Sequence, residues 1–267
     1  MLNLNDCLNK NKKHQRTFKT TKPPDSDRLA NPNNNNIHGS QTMADKYKII
    51  GPVYDFLSTI YSGRQIHKCK TAMNIDLKAD DKILFAGVGH GRDAIDAAEK
   101  GAQVTVVDLS ATMLKNVEKN LKNKTFKHPI RLVHSDILAF DEVGEYDQVV
   151  ANFFLNVFPE EFMVTVMKHL GTLVKADGHF VIGDFHYPTG NVLTKTFQNA
   201  YWYIAVGIFT IFAKNAFHKI YNYPKHLENM GFSIEKKQSF NVLLIPSLWS
   251  MKASRKQIAK PQQVDAA

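Results

Sequence analysis

Apolar runs alternate with segments that have the apolar spacing of amphipathic helices between residues 82 and 188. The runs that predict strands are Lys82–Ala86, Gln103–Val107, Ile130–His134, Asp147–Asn152 and Gly178–Phe185. The segments that predict helices are Arg92–Lys100, Ser110–Lys122, with Ser110 as a suitable N-cap, and Pro159–Lys175. Such alternation is typical of βαβ units, so the strands should form a mostly parallel sheet. Right-handed crossovers then place helices on both faces of the sheet, in a doubly wound arrangement.

The pattern is different before and after this alternation. Two short helices are predicted upstream, at Lys46–Tyr61 and Gly63–Ile75. Downstream, a long helical and aromatic segment ends near Tyr221, and a short helix follows at Pro224–Met230. The aromatic segment is therefore an insertion between the last parallel strand and whatever completes the domain.

Two further strand-like runs complete the pattern, at Ser233–Phe240 and Leu243–Lys252. Only a few residues join them, and so short a connection requires an antiparallel pair. The predicted fold class is α/β and Rossmann-like. It is a doubly wound, mostly parallel seven-stranded sheet with a C-terminal antiparallel hairpin, and a helical insertion at about 189–223 precedes that hairpin.

The two ends of the chain lack this pattern of apolar and polar residues. Residues 1–42 show little apolar periodicity and include an asparagine-rich run at 31–36, which predicts a disordered tail. Whether this tail is a targeting segment stays open, because it holds only two arginines and three aspartates. The domain is predicted to span residues 43–256, and residues 257–267 form a second disordered tail.

Charge and composition narrow the class of protein. The formal net charge is +9, and residues 189–260 alone hold ten basic and two acidic residues. Such asymmetry indicates an anionic partner, a membrane surface or a nucleic acid, or else a solvated, lysine-rich surface. No run of 18 apolar residues occurs, so no ordinary transmembrane helix is predicted. The two cysteines, Cys7 and Cys69, indicate neither a disulfide framework nor a zinc site, which fits a reducing, cytoplasmic compartment.

A glycine-rich turn separates the first strand from the following helix. Gly87, Gly89 and Gly91 let the backbone approach a ligand closely, and the helix start points amide groups at that ligand. Asp108 ends the second strand, 17 residues after Gly91, where an acid can accept hydrogen bonds from both ribose hydroxyls of an adenosine ligand. Alternatively, Asp108 caps the helix that starts after Ser110. A dehydrogenase would carry two residues between the second and third glycines, and the final hairpin also disfavours that class.

Polar residues also follow the third and fourth strands. Asp136 follows the third strand, and Asn152 ends the fourth. Ligands of open α/β sheets bind at the carboxyl ends of the strands, so four strand ends in succession predict one binding edge.

From residue 44 to 256 the sequence resembles the class I S-adenosylmethionine-dependent methyltransferases. Within this superfamily it looks most like the ubiquinone and menaquinone C-methyltransferases and related lipid methyltransferases. The resemblance lies in Pro52-Val53-Tyr54-Asp55, the glycine loop, Val107-Asp108-Leu109-Ser110, Asp136, Phe154-Leu155-Asn156-Val157 and Gly183-Asp184-Phe185-His186-Tyr187-Pro188.

The resemblance implies S-adenosylmethionine as cofactor and assigns residues to its parts. The three glycines would pack against its methionyl and ribose portions. Asp108, with Leu109 beside it, would bind the ribose, and Asp136 would bind the adenine amino group.

It further implies that the Ile137 backbone lies along the adenine edge. Asn152 and Phe153 would lie beside the sulfonium and its methyl group, and Tyr54 would cover the cofactor. One position departs from the family pattern. Phe85 stands where an acid usually precedes the first glycine by two residues, and Asp93 at the helix start is a candidate to compensate.

The chemistry is predicted at the end of the fifth strand. His186 could face the acceptor as a general base, because imidazole titrates near neutral pH, with Asp184 and Tyr187 in supporting roles. A loop histidine that faces water is the alternative. Asn152 is the third candidate catalytic residue. The histidines show no clustered spacing, so no metal is predicted.

Residues 200–213 are apolar on every helical face and too short to span a bilayer. Between the fifth strand and the hairpin they indicate a hydrophobic acceptor, such as a quinone precursor or a lipid-like molecule. They also indicate peripheral contact with an anionic membrane. The alternative is a buried helix in a methyltransferase of a soluble metabolite, and a third reading is a cofactor-binding relative without turnover. Asn152-Phe153-Phe154 lacks the prolines of amino methyltransferases, so a nucleic-acid partner is not expected. The oligomeric state stays open.

Overall fold

The computed structural model of the chain describes residues 64–213, 219–242 and 244–256. The strands are β1 (Lys82–Ala86), β2 (Gln103–Asp108), β3 (Arg131–His134), β4 (Tyr146–Asn152), β5 (Val174–Phe185), β6 (Phe232–Val242) and β7 (Ile245–Arg255). The α-helices are α1 (Gln65–Thr71), α2 (Arg92–Glu99), α3 (Ala111–Leu121), α4 (Glu160–Leu173), α5 (Val192–Ala213) and α6 (Tyr223–Asn229). Single 3-10 turns follow α1, β3 and β4.

The seven strands form one sheet in the order β3-β2-β1-β4-β5-β7-β6. The first five strands are parallel, and β7 runs antiparallel between β5 and β6. The predicted fold class is therefore confirmed, including the C-terminal hairpin and the helix inserted before it.

Local chemistry sets the helix boundaries. The Ser110 side chain accepts a hydrogen bond from the Met113 amide at 3.3 Å and caps α3, as predicted. Asn222 caps α6 in the same way at the Lys225 amide, with a proline in the first turn of the helix. The largest difference from the predicted strand boundaries is at the start of β5. α4 ends at Leu173 and β5 begins at Val174, because Val174 already pairs with Tyr146 across an irregularity in the β4–β5 ladder.

The core has two layers, one on each face of the sheet. Helices α2 and α3 cover one face, where Phe85 and Val150 are buried. Helices α4 and α6 cover the other, where Val149 and Ile182 are buried. Successive strand residues point to opposite faces, so Asn152 lies on the same face as Val150, the face of α2.

A third cluster joins the start of the chain's described part to the insertion. Cys69 of α1 and Tyr201 and Trp202 of α5 pack with Phe185 and Leu248 of the sheet. Tyr201 and Trp202 are 7% and 3% exposed, so these two rings of the 200–213 segment face the core and are not placed to contact a membrane surface. Because the indole is buried against Phe185, this part of α5 is a packed helix. No helix in the three described stretches is long and apolar enough to cross a membrane.

Several predictions fall on residues for which no structure is described. They concern the tails at 1–42 and 257–267, the helix at Lys46–Tyr61 and the cofactor-covering role of Tyr54.

Candidate functional site

The residues predicted to bind a cofactor lie along one edge of the sheet. Asp136 follows β3, Asp108 ends β2, the glycine loop follows β1, and Asn152 ends β4. These four strands are direct neighbours in the sheet, in that order. The sequence places the residues far apart, and the topology brings them into a row at the carboxyl ends of parallel strands, where ligands of such sheets bind.

The glycine loop follows β1 with all three glycines at positive φ, +69° at Gly87, +51° at Gly89 and +70° at Gly91. A side chain at Gly91 would place its Cβ 2.9 Å from Val117 of α3, so this glycine permits close packing of the loop on that helix. At Gly87 a Cβ would collide with the Phe154 ring. At Gly89 the nearest neighbour of a Cβ among the described residues would be the Lys70 ammonium, at 3.8 Å.

Asp108 ties the loop to the next helix. One carboxylate oxygen accepts a hydrogen bond from the Val88 amide at 2.8 Å, and the other accepts from the Ser110 amide at 2.7 Å. The helix-capping interpretation of Asp108 therefore describes part of its role. A carboxylate has about four lone-pair sites, so two acceptor sites remain for ribose hydroxyls. Burial raises the pKa of the Asp108 carboxyl above its ordinary value, against the lowering effect of the two amides.

The predicted adenine side of the edge is more open. Asp136 is exposed, and its carboxylate accepts from the Leu138 amide at 2.9 Å, which caps the 3-10 turn after β3. The Ile137 side chain is buried in the core, so only its backbone could face a ligand. The Leu109 carbonyl accepts a hydrogen bond from His134 Nε2 at 3.0 Å, which fixes the loop after β2.

Asn152 connects three elements at the other end of the row. Its side-chain amide donates to the Lys70 carbonyl of α1 at 2.9 Å and to the Asp93 carboxylate of α2 at 3.0 Å. Its buried Oδ1 has no hydrogen-bond partner among the described residues. A buried acceptor without a partner costs free energy that a donor from a bound group would recover. Asp93 thus contacts the end of β4 from the start of α2.

The chain leaves β4 through a strained turn. Phe153 adopts φ +52°, a left-handed conformation that is unusual for an aromatic residue, and its amide donates to the Gly183 carbonyl at 2.7 Å. Such strain is concentrated at ligand sites. Gly183 is needed here, because a Cβ would lie 2.5 Å from Asn152 Oδ1. Phe154, the next residue, packs its ring against Gly87.

Asp184 lies fully buried near the end of β5. Its carboxylate accepts from the Asn156 side chain at 2.7 Å, from the Phe185 amide at 2.7 Å and from the Tyr223 hydroxyl at 2.8 Å. Burial raises the pKa of Asp184 to about 6, although all three hydrogen bonds lower it. The residue therefore holds the loop after β4 and the start of α6 together, and its oxygens face protein donors.

His186 stacks on Trp249 with ring centroids 4.5 Å apart. Its Nδ1 lies 2.6 Å from the Tyr187 carbonyl, and a carbonyl can only accept. Nδ1 therefore carries the proton, which leaves Nε2 as an acceptor in the neutral ring. Burial lowers the pKa of His186, and the nearby Lys237 charge lowers it further, against the raising effect of the Tyr187 carbonyl.

The structure separates the three predicted catalytic residues. Asn152 is in register with Gly183, and Asp184 is in register with Trp249, whose ring belongs to the α4 face. Because neighbouring strand residues alternate, Asn152 lies on the α2 face, whereas Asp184 and the ring of His186 lie on the α4 face. All three stay at the same carboxyl edge.

Sequence reasoning missed Lys70 and Asn156. Both act through contacts with residues distant in the sequence. Lys70 belongs to no recognisable motif, and Asn156 lies within the Phe154–Val157 run, which by itself indicates no partner for its side chain. Across the described part of the chain, no group of three His, Cys, Asp or Glu side chains is placed to hold a metal ion.

The strand order and the antiparallel β7 define a Rossmann-like α/β fold, and comparisons with known proteins show which proteins share it. Residues 83–178, from β1 into β5, match the family model described as a methyltransferase domain. The chain is 29% identical over 113 residues to a ribosomal protein L11 methyltransferase of Desulfitobacterium hafniense, which covers 42% of the chain and 34% of that protein. It is 28% identical over 123 residues to an uncharacterised methyltransferase of Mycobacterium bovis, with 46% of the chain and 56% of that protein covered. The chain therefore matches only about a third to a half of these relatives' lengths.

Solved structures share the fold over more of the chain. The 1,6-didemethyltoxoflavin N1-methyltransferase of Burkholderia thailandensis, solved with its acceptor and S-adenosylhomocysteine, aligns with a TM-score of 0.60 at 17% identity. That alignment covers 88% of the chain and 94% of the neighbour. The magnesium protoporphyrin IX methyltransferase of Synechocystis PCC 6803, solved with S-adenosylmethionine, aligns with a TM-score of 0.57 at 17% identity over 81% and 97% of the two chains. The neighbours thus share the fold and include proteins solved with the cofactor or its product.

Proposed function

We propose that the chain transfers a methyl group from S-adenosylmethionine to a small, hydrophobic acceptor, a quinone precursor or lipid-like molecule. The observation that carries the proposal is Asp108, which holds the glycine loop at Val88 and still has acceptor sites for two ribose hydroxyls. When bound, the cofactor supplies an electrophilic methyl group on its sulfonium. The protein's part is to hold cofactor and acceptor in line, since much of the rate of such a transfer comes from proximity and orientation.

The residues at the edge fit this cofactor. Asp108 and Asp136 would hold its adenosine portion at β2 and β3, and the glycine loop would face its methionyl portion. Asn152 and Phe153 would lie beside the reacting end. The Asn152 side chain is fixed by Asp93 and by the Lys70 carbonyl, and this rigidity supports a positioning role. Asp93 takes the place of the acid that is absent at Phe85.

Aromatic side chains surround the end of β4, where the acceptor is proposed to bind, and this supports a flat or hydrophobic acceptor. Phe153 is only partly buried and meets the Phe185 ring at 5.7 Å in an edge-to-face contact. Phe185 in turn contacts Trp202 at 4.7 Å and Tyr201 at 6.0 Å. A ring placed beside Phe153 would therefore join an existing cluster of aromatic side chains. Two structural neighbours are named for flat-ring acceptors, didemethyltoxoflavin and magnesium protoporphyrin IX.

We propose distinct roles for the two groups on the α4 face. His186 is neutral with an available Nε2 lone pair, so it could take a proton from a hydroxyl acceptor. Asp184 positions the loop after β4 through Asn156, and its full burial among three protein donors disfavours a role as base. The acceptor atom decides whether His186 is needed, because an acceptor without a proton on that atom requires no base.

The proposal also includes peripheral contact with an anionic membrane. Tyr201 and Trp202 are buried and do not support this contact, but other residues of the insertion and the hairpin do. Val192 and Leu193 at the start of α5 are 78% and 81% exposed, and Leu244 at the hairpin tip is 91% exposed. The two segments are tied together, because Gln198 of α5 donates to the Pro246 carbonyl at 2.6 Å. Exposed apolar residues on two segments that contact each other favour an interaction surface here.

Transfer of labelled methyl groups tests the activity and sorts the acceptor classes. The full chain is incubated with methyl-labelled S-adenosylmethionine and either a lipid extract or a soluble metabolite extract. Asp108→Ala serves as the control without a ribose partner. We expect label in the lipid fraction. Label only among soluble metabolites would contradict the acceptor class. Cofactor binding without label in either fraction would favour a binding protein without turnover.

A further inference from the structure

Lys70 places a cation over the centre of the glycine loop. Its ammonium lies 3.8 Å from the position that a Cβ on Gly89 would occupy, and 5.9 Å from the centroid of the Phe153 ring. Gly89 is the one glycine of the loop whose open side meets a charged atom. The ammonium therefore borders the space between the loop and the end of β4.

The backbone of Lys70 is held in place at this site. Its carbonyl accepts from the Asn152 side chain at 2.9 Å, and the same side chain bonds the Asp93 carboxylate at 3.0 Å. Lys70 also follows the fully buried Cys69, which packs in the third core cluster. The position of the lysine is thus set by the β4 end and the core, while its side chain stays partly exposed.

The charge of Lys70 has no carboxylate partner within ion-pair distance among the described residues. Some lysines elsewhere in the domain pair with acids, as Lys100 does with Asp96 at 2.8 Å. The carboxylate nearest in the network, Asp93, is engaged by Asn152. An unpaired ammonium beside a ligand edge is suited to bind an anionic group.

The order of strands indicates which part of the cofactor reaches this cation. Asp136 and Asp108, the proposed adenosine contacts, stand at β3 and β2, and Lys70 lies over the loop after β1 and beside the end of β4. A cofactor whose adenosine lies at β2 and β3 has its methionyl end over β1 and β4. That end carries the only carboxylate of the cofactor.

We infer that Lys70 binds the α-carboxylate of the methionyl portion, so it is a cofactor-binding residue in addition to those predicted from the sequence. The inference rests on the proposed function, because it presupposes this cofactor at this edge. It gives α1, which is outside the matched family region, a direct role in cofactor affinity.

A ligand that lacks only the carboxylate provides the test. Calorimetry would measure binding of S-adenosylhomocysteine and of its decarboxylated analogue, 5′-(3-aminopropylthio)-5′-deoxyadenosine, to the full chain. Lys70→Met removes the ammonium and keeps most of the apolar stem. Lys68→Met, in an exposed position of the same helix, is the matched control.

We expect Lys70→Met to weaken binding of S-adenosylhomocysteine about tenfold or more, the loss typical of one hydrogen bond to a charged group. Binding of the decarboxylated analogue should change less than about twofold, and Lys68→Met should affect neither ligand. Equal weakening of both ligands by Lys70→Met would overturn the inference, since the lysine would then support the loop and not the carboxylate. Unchanged binding of both ligands by Lys70→Met would also overturn the inference. Failure of the wild-type chain to bind either ligand would instead contradict the proposed function itself.

Discussion

The cofactor edge and the acceptor side of this molecule are built in different ways. At β1 and β2 the site consists of a loop and one carboxylate, and Asp108 meets its partners Val88 and Ser110 within 20 positions of the sequence. At β4 and β5 the site consists of side chains from distant elements. Asn152 bonds Lys70 across 82 positions, and Tyr223 bonds Asp184 across 39. The first region depends on backbone conformation, and the second depends on tertiary packing.

This difference explains why the acceptor can vary among proteins of one fold while the cofactor stays the same. A loop fixed by glycines and one acid binds a common cofactor, and few substitutions preserve it. Helix α5 and the hairpin tip can change residues while the sheet remains, because they contact its end through side chains such as Phe185 and Trp202. Variation of the acceptor among proteins of one fold is then expected at the second region.

The largest expected effect is at the first region. Asp108→Ala removes the acceptor of the Val88 and Ser110 amides and the proposed acceptor of two ribose hydroxyls. Each hydrogen bond to a charged acceptor contributes about 1.5–3 kcal/mol, so affinity for S-adenosylhomocysteine should fall at least about a hundredfold by calorimetry. The exposed Asp136→Ala is the comparison and should cost about tenfold. An unchanged dissociation constant in a folded Asp108→Ala chain would remove the main support for the site.

The contrast also explains what the sequence could reveal. A strand end followed by alternate glycines, and an acid at the next strand end, are local features, so the positions of the loop and Asp108 were predicted correctly. The sequence also predicted Asn152, Asp184 and His186 as catalytic residues, but it did not reveal how β4 pairs with β5. That register aligns Asn152 with Gly183 and places Asp184 on the other face. Register depends on the packed sheet, and no local pattern encodes it.

The same limit applies to helix α5. Its apolar residues on every face fitted both a buried helix and a membrane-bound one. Only the packing of Trp202 on Phe185 distinguishes the two, and that contact requires the fold. Lys70 was missed for a related reason, because a lysine on a short helix carries no signal until the helix is placed over the glycine loop.

A pair of adjacent substitutions measures the packing of the second region. Trp202 is 3% exposed and Tyr203 is 39% exposed. Trp202→Ser leaves a large cavity and should lower the free energy of unfolding by about 3–5 kcal/mol in urea titrations. Tyr203→Ser should change it by less than about 1 kcal/mol. Equal effects of the two substitutions would mean that α5 does not form part of the core at Trp202.

The pH dependence of stability tests the buried carboxylate of the second region. Burial raises the pKa of Asp184 from 3.8 to about 6. Between these values the folded chain holds a proton that the unfolded chain releases, so the contribution of Asp184 to stability is complete below about pH 4 and is lost as pH rises through about 6. At about 1.4 kcal/mol per pKa unit, the loss is on the order of 3 kcal/mol.

Asp184→Asn should abolish this dependence. Its oxygen can accept from Asn156 and the Phe185 amide, and its NH₂ group can donate to the Tyr223 hydroxyl oxygen, so all three contacts persist and only the Tyr223 O–H loses the acceptor that it has in the wild type. Melting temperatures at pH 8 should be equal to or above those of the wild type. Asp177→Asn, at an exposed position of β5, is the control. A variant that folds stably but transfers no methyl group would show that Asp184 takes part in the reaction, against its proposed positioning role.

The smallest effect concerns the surface of the second region that would meet a membrane. Leu193→Ser and Leu244→Ser each remove one exposed apolar side chain, whose full burial would contribute about 1.5–3 kcal/mol. Because a side chain at a membrane surface is only partly buried, flotation with anionic liposomes should weaken about three- to tenfold for each. Ile75→Ser changes a side chain that is 73% exposed in the turn after α1, and it should leave flotation unchanged. Binding should also weaken with salt, since exposed charges are screened over about 8 Å at physiological ionic strength. Equal flotation of all three variants and the wild type would mean that the exposed apolar side chains do not contact the membrane. The aromatic cluster would then be the remaining support for a hydrophobic acceptor.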